Sequence, residues 1–315
     1  MDPLSDMLSL LRVRSSMSGG FDAGGEWSLR FDRHEGIKFY AVVSGECWLS
    51  VDGAPDPLRV KSGDCFLLPR GRAFRMASDM SLTPLDADVF LSTAQNGRIN
   101  LYNGGGQFFS VCGHFTLAGD HAGVLLGVLP PIVHIDKEAD KAMLRWCVDQ
   151  MMQELRVARP GNSLMIEHLA HMMLVQALRL HMADGTQGGA GWLFALADGQ
   201  VSAAIKCMHD DPARRWTVQS LAESAAMSRT AFTLRFKRMV GTSPMEYLTH
   251  WRMLVAADRL SHSRDSISTI SASLGYESES AFSTAFKRVM GCSPREYSRR
   301  RNLRRDTKQL AAVAS

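Results

Sequence analysis

Two stretches near the C-terminal end carry the same mixture of cationic, hydroxyl and aromatic residues. Ala231–Tyr247 reads AFTLRFKRMVGTSPMEY and Ala281–Tyr297 reads AFSTAFKRVMGCSPREY. Ten of the seventeen positions are identical at a constant offset of fifty residues. Lysine and arginine at those positions can take phosphate oxygens, and short hydroxyls can hydrogen-bond base edges. The phenylalanines recur at i and i+4 (Phe232 and Phe236, Phe282 and Phe286), which is the spacing of a buried helix face. Trp216 and Trp251 are expected in the core beside them.

Helices must position these groups, and the local chemistry specifies where. Each copy follows a shorter helical signal, Leu221–Met227 or Ile270–Tyr276, so each unit reads as a helix-turn-helix. Ser228 and Ser278 precede the second helices, where a hydroxyl accepts from an orphan backbone N–H. Gly275 suits the bend, and Gly241 and Gly291 suit left-handed helix ends. Ser243-Pro-Met-Glu246 and Ser293-Pro-Arg-Glu296 read as capping boxes with proline in the first turn. A helix from Pro244 to about Leu260 then joins the units and spans roughly 25 Å. Such a rod can hold two helices in successive major grooves, about 34 Å apart.

Charge separates the halves of this 315-residue chain. Residues 201–315 carry a formal +9 and residues 1–200 a formal −5, which assigns a nucleic-acid partner to the basic half. Arg299, Arg300, Arg301, Arg304, Arg305 and Lys308 add a cationic arm or a solvated tail.

The duplicated motifs, Trp251-Arg252-Met253 in the linking helix and the segment LGYESESAFSTAFKRVMGCSPREY (Leu274–Tyr297) resemble the AraC/XylS family of bacterial transcriptional regulators. The resemblance covers about a hundred residues, from Val201 to about Arg300. It implies a seven-helix domain that binds double-stranded DNA and recruits or excludes RNA polymerase. It also implies base-reading positions, here Thr230, Thr233 and Leu234 in the first recognition helix and Glu279, Ser280, Ser283 and Thr284 in the second. Leu234 departs from the long polar residue common at its position and cannot hydrogen-bond. Ser228, Arg229, Arg235, Lys237, Arg238, Lys287 and Arg288 are expected to be phosphate partners or solvated faces.

The first half has another character, and the chain is long enough for a separate domain. Phe39–Val43, Cys47–Val51, Cys65–Leu68 and Phe108–Val111 read as short strands bounded by turn residues, as in a sandwich or small barrel. Gly63-Asp-Cys-Phe-Leu-Leu-Pro69-Arg-Gly71 resembles the second conserved motif of cupin barrels, and Gly45 the end of the first. That family implies two His and a Glu as metal ligands in the first motif and a His in the second. Counting from the glycines, Asp32, Lys38 and Phe74 replace three of them and His34 alone remains. No metal, cofactor or enzymatic activity is therefore expected. The cup is read either as an apolar cavity for a small-molecule effector, with Lys38, Phe39, Trp48, Phe66 and Phe74 as candidate lining, or as a filled core. Lys38 and Arg72 are candidate partners for an anionic ligand.

Six cysteines without a Cys-x-x-Cys pair and the lack of an apolar leader or span argue for a reduced, cytoplasmic setting away from membranes. Cys47, Cys65 and Cys112 form the alternative, a thiol redox switch, unless they are small buried hydrophobes. Lys137–Val157 and Ser163–Met182 read as a helical hairpin. Its apolar stripes (Met143, Leu144, Cys147, Val148, Met151, Met152 and Leu155; Leu164, Met165, Leu169, Met172, Met173 and Leu180) serve a homodimer or pack on the barrel. The expected α+β organisation is a cupin-like barrel at 1–135, the hairpin at 136–183, a linker at 184–200 containing glycine-rich Asp184–Gly191, an all-α double helix-turn-helix domain at 201–302 and a basic tail at 303–315.

Overall fold

A computed structural model describes residues 2–91, 98–117, 126, 129–157, 159–183 and 191–300. Residues 184–190 of the expected linker and the basic tail lie outside the described residues. The chain divides into two compact units, Arg12–Thr186 and the paired segments Met1–Leu11 and Gln187–Ser315.

In the first unit the strands are β1 (Arg14–Ala23), β2 (Ser28–Phe31), β3 (Ile37–Ser44), β4 (Glu46–Val51), β5 (Leu58–Lys61), β6 (Cys65–Leu68), β7 (Phe74–Ala77), β8 (Leu85–Asp86), β9 (Arg98–Tyr102), β10 (Phe108–Thr116) and β11 (Val133–Ile135). They form two sheets, ordered β11-β6-β3-β10-β1-β9 and β5-β4-β7-β2-β8. The pairings are antiparallel except β9 on β1 and β8 on β2. The four strands expected from sequence are β3, β4, β6 and β10. Between β3 and β4 the chain reverses at Gly45, whose φ is +75° and where a Cβ would meet the Gln107 carbonyl oxygen at 2.0 Å. Only glycine fits that turn.

The sheets enclose one apolar core of Trp27, Leu29, Tyr40, Val42, Leu49, Val60, Phe66, Phe74, Met76 and Phe108, with further side chains packed around it. β3 is buried on both faces, so its residues form an almost unbroken apolar run. Tyr40 and Val42 point into the core, and Ile37, Phe39 and Ala41 point out of it. That outer face is covered by a helical hairpin, Glu138–Arg156 and Asn162–Ala183, whose second helix packs on β1 and β11. Phe39 packs against Phe115 at 5.3 Å between centroids with the rings tilted, and Phe115 lies 6.2 Å from the His171 ring on that helix.

A buried polar cluster ties the hairpin to the barrel. Lys141 Nζ donates to Asp64 Oδ1 at 2.8 Å, and His134 Nε2 lies 3.1 Å from Asp64 Oδ2. Asp64 also accepts from the Lys61 backbone N–H at 3.0 Å. Desolvation alone would raise the Asp64 pKa, but the bonds from Lys141, Lys61 and His134 hold it below the usual carboxylate range.

The hairpin stripe is narrower than its sequence suggests. Leu144, Cys147, Val148, Met151, Met152, Leu169 and Met173 are buried, whereas Met143, Leu164, Met165 and Met172 are exposed. Sequence spacing cannot separate adjacent residues of a broad apolar stripe, since one helix turn places them less than a third of a circle apart.

The second unit starts with a correction. Helix Pro3–Leu11, expected within the barrel domain, buries Leu4, Met7 and Leu11 against helices Gly199–Asp210 and Pro244–His262. Its Asp6 Oδ2 lies 3.4 Å from Nδ1 of the buried His209. Regular structure also resumes before residue 201. Trp192–Ala195 is helical, and Asp198 caps Gly199–Asp210 by accepting from Gln200 N and Val201 N. The remaining helices are Val218–Ser224, Arg229–Val240, Pro244–His262, Ile267–Ser273, Glu279–Met290 and a helical segment at 294–300.

Candidate nucleic-acid interface and barrel cavity

Each recognition helix is held by its ends and by one buried face. Ser228 Oγ accepts from Ala231 N at 3.3 Å, and Ser278 Oγ accepts from Ala281 N at 3.1 Å. Gly241 and Gly291 close the helices with φ of +88° and +76°. Phe232, Phe236, Phe282 and Phe286 are fully buried, and Trp216 and Trp251 are buried with them. In the second motif the phenylalanines pack with Met253, Ala257, Leu260, Ile270 and Leu274, so the linking helix supports the recognition helix directly. In the first motif the bend is made by Ala226 at φ +51°, and in the second by Gly275 at φ +78°.

This anchoring leaves a second face free. On the first helix Arg229, Thr230, Leu234, Lys237 and Arg238 are exposed and Thr233 is half-buried; on the second Glu279, Ser280, Thr284, Lys287 and Arg288 are exposed and Ser283 is half-buried. Leu234 is 68% exposed. Thr233 Oγ1 donates to the Arg229 carbonyl at 2.8 Å, and Thr284 Oγ1 donates to the Ser280 carbonyl at 3.0 Å. With its hydroxyl hydrogen engaged in this way, each threonine retains a methyl group and an acceptor oxygen. Those are the groups that meet a thymine methyl or an amino donor of adenine or cytosine.

Arg235 is a correction. Its Nε donates to Asp198 Oδ2 at 3.1 Å, its Nη2 bonds the same carboxylate, and its Nη1 donates to Gln200 Oε1 at 3.1 Å. The guanidinium locks the first recognition helix to the capped end of Gly199–Asp210 and does not stand free for phosphate. In contrast, Arg295, 84% exposed, lies 3.7 Å from Glu279 Oε1. Arg215 pairs with Glu277 at 2.6 Å and is 83% exposed. Sequence reading missed both arginines. The first motif has Met245 at the place matching Arg295.

The barrel contains a cavity lined by Gly20, Phe21, Trp27, Leu29, Phe31, Lys38, Tyr40, Met76, Phe90, Asn100, Cys112 and Gly113. Of the five expected lining residues, Lys38 lines it. Phe74 and Phe66 belong to the packed core beside it, Phe74 stacked on Phe31 at 4.5 Å and Phe66 on Tyr40 at 4.9 Å. Phe39 and Trp48 do not face inward. Phe39 lies under the hairpin, one residue out of phase with Lys38 and Tyr40. Trp48 alternates with the core residues Cys47 and Leu49 and lies under the Arg59 guanidinium, 5.8 Å from its ring centroid. Arg72 donates to the Asp52 carbonyl at 2.8 Å.

The three cysteines occupy separate places. Cys47 is in the core, Cys112 lines the cavity, and Cys65 lies on the hairpin side near Lys141, Arg145 and Cys147. Burial raises all three thiols, Cys112 to about 11 and Cys65 to about 12. None has the thiolate character that a fast redox switch needs. Burial lowers His34 to about 4, and neither of its buried ring nitrogens has a hydrogen-bond partner among the described residues.

Comparison with known proteins agrees with this geometry. A cupin family matches residues 2–183, and a helix-turn-helix domain matches residues 221–300. A putative AraC-like transcription regulator of Streptomyces lividans is 43% identical over 280 residues, covering 89% of this chain and 92% of that protein. The HTH-type transcriptional regulator AlkR of Acinetobacter baylyi is 28% identical over 290 residues, covering 89% of this chain and 93% of its own length. Among solved structures, the DNA-binding domain of AdpA in complex with a target DNA is 28% identical, with a TM-score of 0.33 over 35% of this chain and 97% of that one. With a barrel, a helical hairpin and two buttressed helix-turn-helices in this order, the chain belongs to the AraC family of DNA-binding transcriptional regulators.

Proposed function

We propose that this regulator places its two recognition helices in neighbouring major grooves of one duplex, works as a homodimer in the cytoplasm, and is controlled by a small molecule held in the barrel cavity. One observation carries the reading: two helices with matching buried phenylalanine faces present opposite faces made of hydroxyls, Leu234, Glu279 and paired cations. Lys237-Arg238 and Lys287-Arg288 take phosphates on either side of the base contacts, and RNA polymerase is the partner that family membership implies. The exposed Met143, Trp146, Leu164, Met165 and Met172 on the hairpin support the dimer, because apolar side chains of that size gain by being covered. The aromatic cavity supports the effector. The chain acts in this reading by binding, with no chemical step.

Footprinting of the full-length protein on the DNA upstream of its own gene tests the reading. Protection of two segments per protomer, on one face and about a helical turn apart, is expected, with affinity falling steeply as salt rises. A single protected segment, or binding insensitive to salt, would overturn it.

A further inference from the structure

The barrel cavity is apolar in nearly all its lining and cationic at one point. Phe21, Trp27, Phe31 and Phe90 supply rings, and Lys38 reaches in from β3. Its Nζ stands 5.2 Å from the centroids of both Phe31 and Phe74, which are stacked on one another. Ring faces offset part of the loss of water around an ammonium. Among the described residues no carboxylate pairs with Lys38, and Asp88 acts on it only through space. Burial consequently lowers its pKa. The neighbouring His34 is held neutral at physiological pH by its own burial, with a pKa of about 4, and adds no second charge. The site therefore has a deficit of one negative charge within an aromatic surround.

We propose that the cavity binds a compact monocarboxylic acid with a one- or two-ring apolar body, its carboxylate on Lys38 Nζ and its rings between Phe21, Trp27, Phe31 and Phe90. This rests on the reading of the cavity as the effector site. One ammonium balances one charge, so phosphate monoesters and dicarboxylates would bring in an unpaired charge at heavy desolvation cost. Size sets the other limit. The cavity has a volume of about 80 Å³, which suits a compact ring system. The same strand carries the consequence outward. Lys38 precedes Phe39, which packs on Phe115 beneath the hairpin, so an anion drawing on Lys38 acts on the strand that supports the hairpin.

Calorimetric titration of the full-length protein with benzoate, 2-naphthoate and the isosteric neutral 2-naphthamide tests the proposal. At least one of the acids is expected to bind, and 2-naphthoate at least ten-fold more tightly than the amide. Lys38→Met keeps the length of the side chain, and in this variant the preference for the acid is expected to vanish while the amide still binds. Equal binding of acid and amide by the unaltered protein would overturn the carboxylate proposal and leave the cavity as a site for neutral effectors. That outcome is assigned to the cavity by Cys112→Phe, which should block the amide. If neither the acids nor the amide bind, both readings fall. A Lys38→Met protein that retains the preference would also overturn the proposal, and should that variant not fold, the acid-to-amide ratio of the unaltered protein decides alone.

Discussion

At the scale of single residues, the proposed roles on the recognition helices divide positioning from reading. Leu234 and Glu279 are both exposed, at different turns of their respective helices, and differ in what they can detect, a thymine methyl for the leucine and a cytosine amino group for the carboxylate. Replacing Leu234 by Ala or Glu279 by Gln is expected to relax base preference at one position each, by about 1–3 kcal/mol. Lys287→Ala should weaken binding to every sequence and flatten the salt dependence by about one phosphate. Arg235→Ala should lower the melting temperature and leave the salt slope unchanged, because its guanidinium bonds Asp198 and Gln200. Binding measured across a randomised site at several salt concentrations separates these outcomes. His209 provides a pH prediction. It stacks on Trp251 with centroids 3.6 Å apart, its Nε2 lies 2.9 Å from the Tyr247 hydroxyl, and desolvation lowers its pKa to about 3. The folded value lies below the unfolded value of about 6.5, so the unfolded chain takes up the proton first. His209 thus leaves stability intact above about pH 6.5 and removes about 1.4 kcal/mol per pH unit as pH falls below it toward 3. Denaturant titrations at pH 7.5 and 5 should show a larger loss for the unaltered protein than for His209→Gln.

At the scale of elements, the two helix-turn-helices differ at their bends. Ala226 adopts φ +51° where the second motif has Gly275 at φ +78°. A side chain in that region is strained by roughly 1–2 kcal/mol, while glycine brings extra freedom to the unfolded chain. Ala226→Gly is expected to leave stability unchanged or raise it by up to about 1 kcal/mol. Gly275→Ala places a Cβ 2.2 Å from the Ala213 carbonyl oxygen and should destabilise by roughly 2 kcal/mol or more. Urea unfolding of the two variants provides the check, and equal losses would contradict the argument. Helix limits were legible where a cap announces them. Pro244–His262 begins at the expected Ser243 capping box, and the hairpin helices Glu138–Arg156 and Asn162–Ala183 lie within one residue of their expected limits at each end. The first helices of the two motifs begin three residues before their apolar signals, at caps supplied by Thr217 and Ser266. Polar side chains at the start of a short helix dilute the hydrophobic signal while making the cap that starts it.

At the scale of the molecule, the proposed function divides sensing by the barrel unit from binding by the helical unit, and takes the hairpin as the surface through which copies would meet. Trp146 is 49% exposed on the first hairpin helix, between the buried Leu144 and Cys147. Trp146→Glu is expected to shift the protein from dimer to monomer in sedimentation and to weaken binding to a paired site by about ten-fold or more, through loss of effective concentration. Unchanged sedimentation of the variant would remove the hairpin as the dimer surface. No helix among the described residues is long and apolar enough to cross a membrane.

What the sequence determined by itself was local or repeated. The seventeen-residue duplication, the serine caps, the glycine helix ends and the i, i+4 phenylalanines require only neighbours along the chain, and all are present in the structure. Only the tertiary structure decided which way a side chain faces in a strand buried on both sides. Phe39 and Lys38 are equally compatible with the cup until the hairpin covers one face of β3, and Trp48 until the phase of β4 is set by its neighbours. Arg235 reads as a phosphate ligand until Asp198, thirty-seven residues earlier, is brought beside it. Helix Pro3–Leu11 joins the helical unit rather than the strands that follow it because its apolar face finds helices Gly199–Asp210 and Pro244–His262. Periodicity records that a residue is buried; the partner that buries it comes from elsewhere in the chain and leaves no mark on the local sequence.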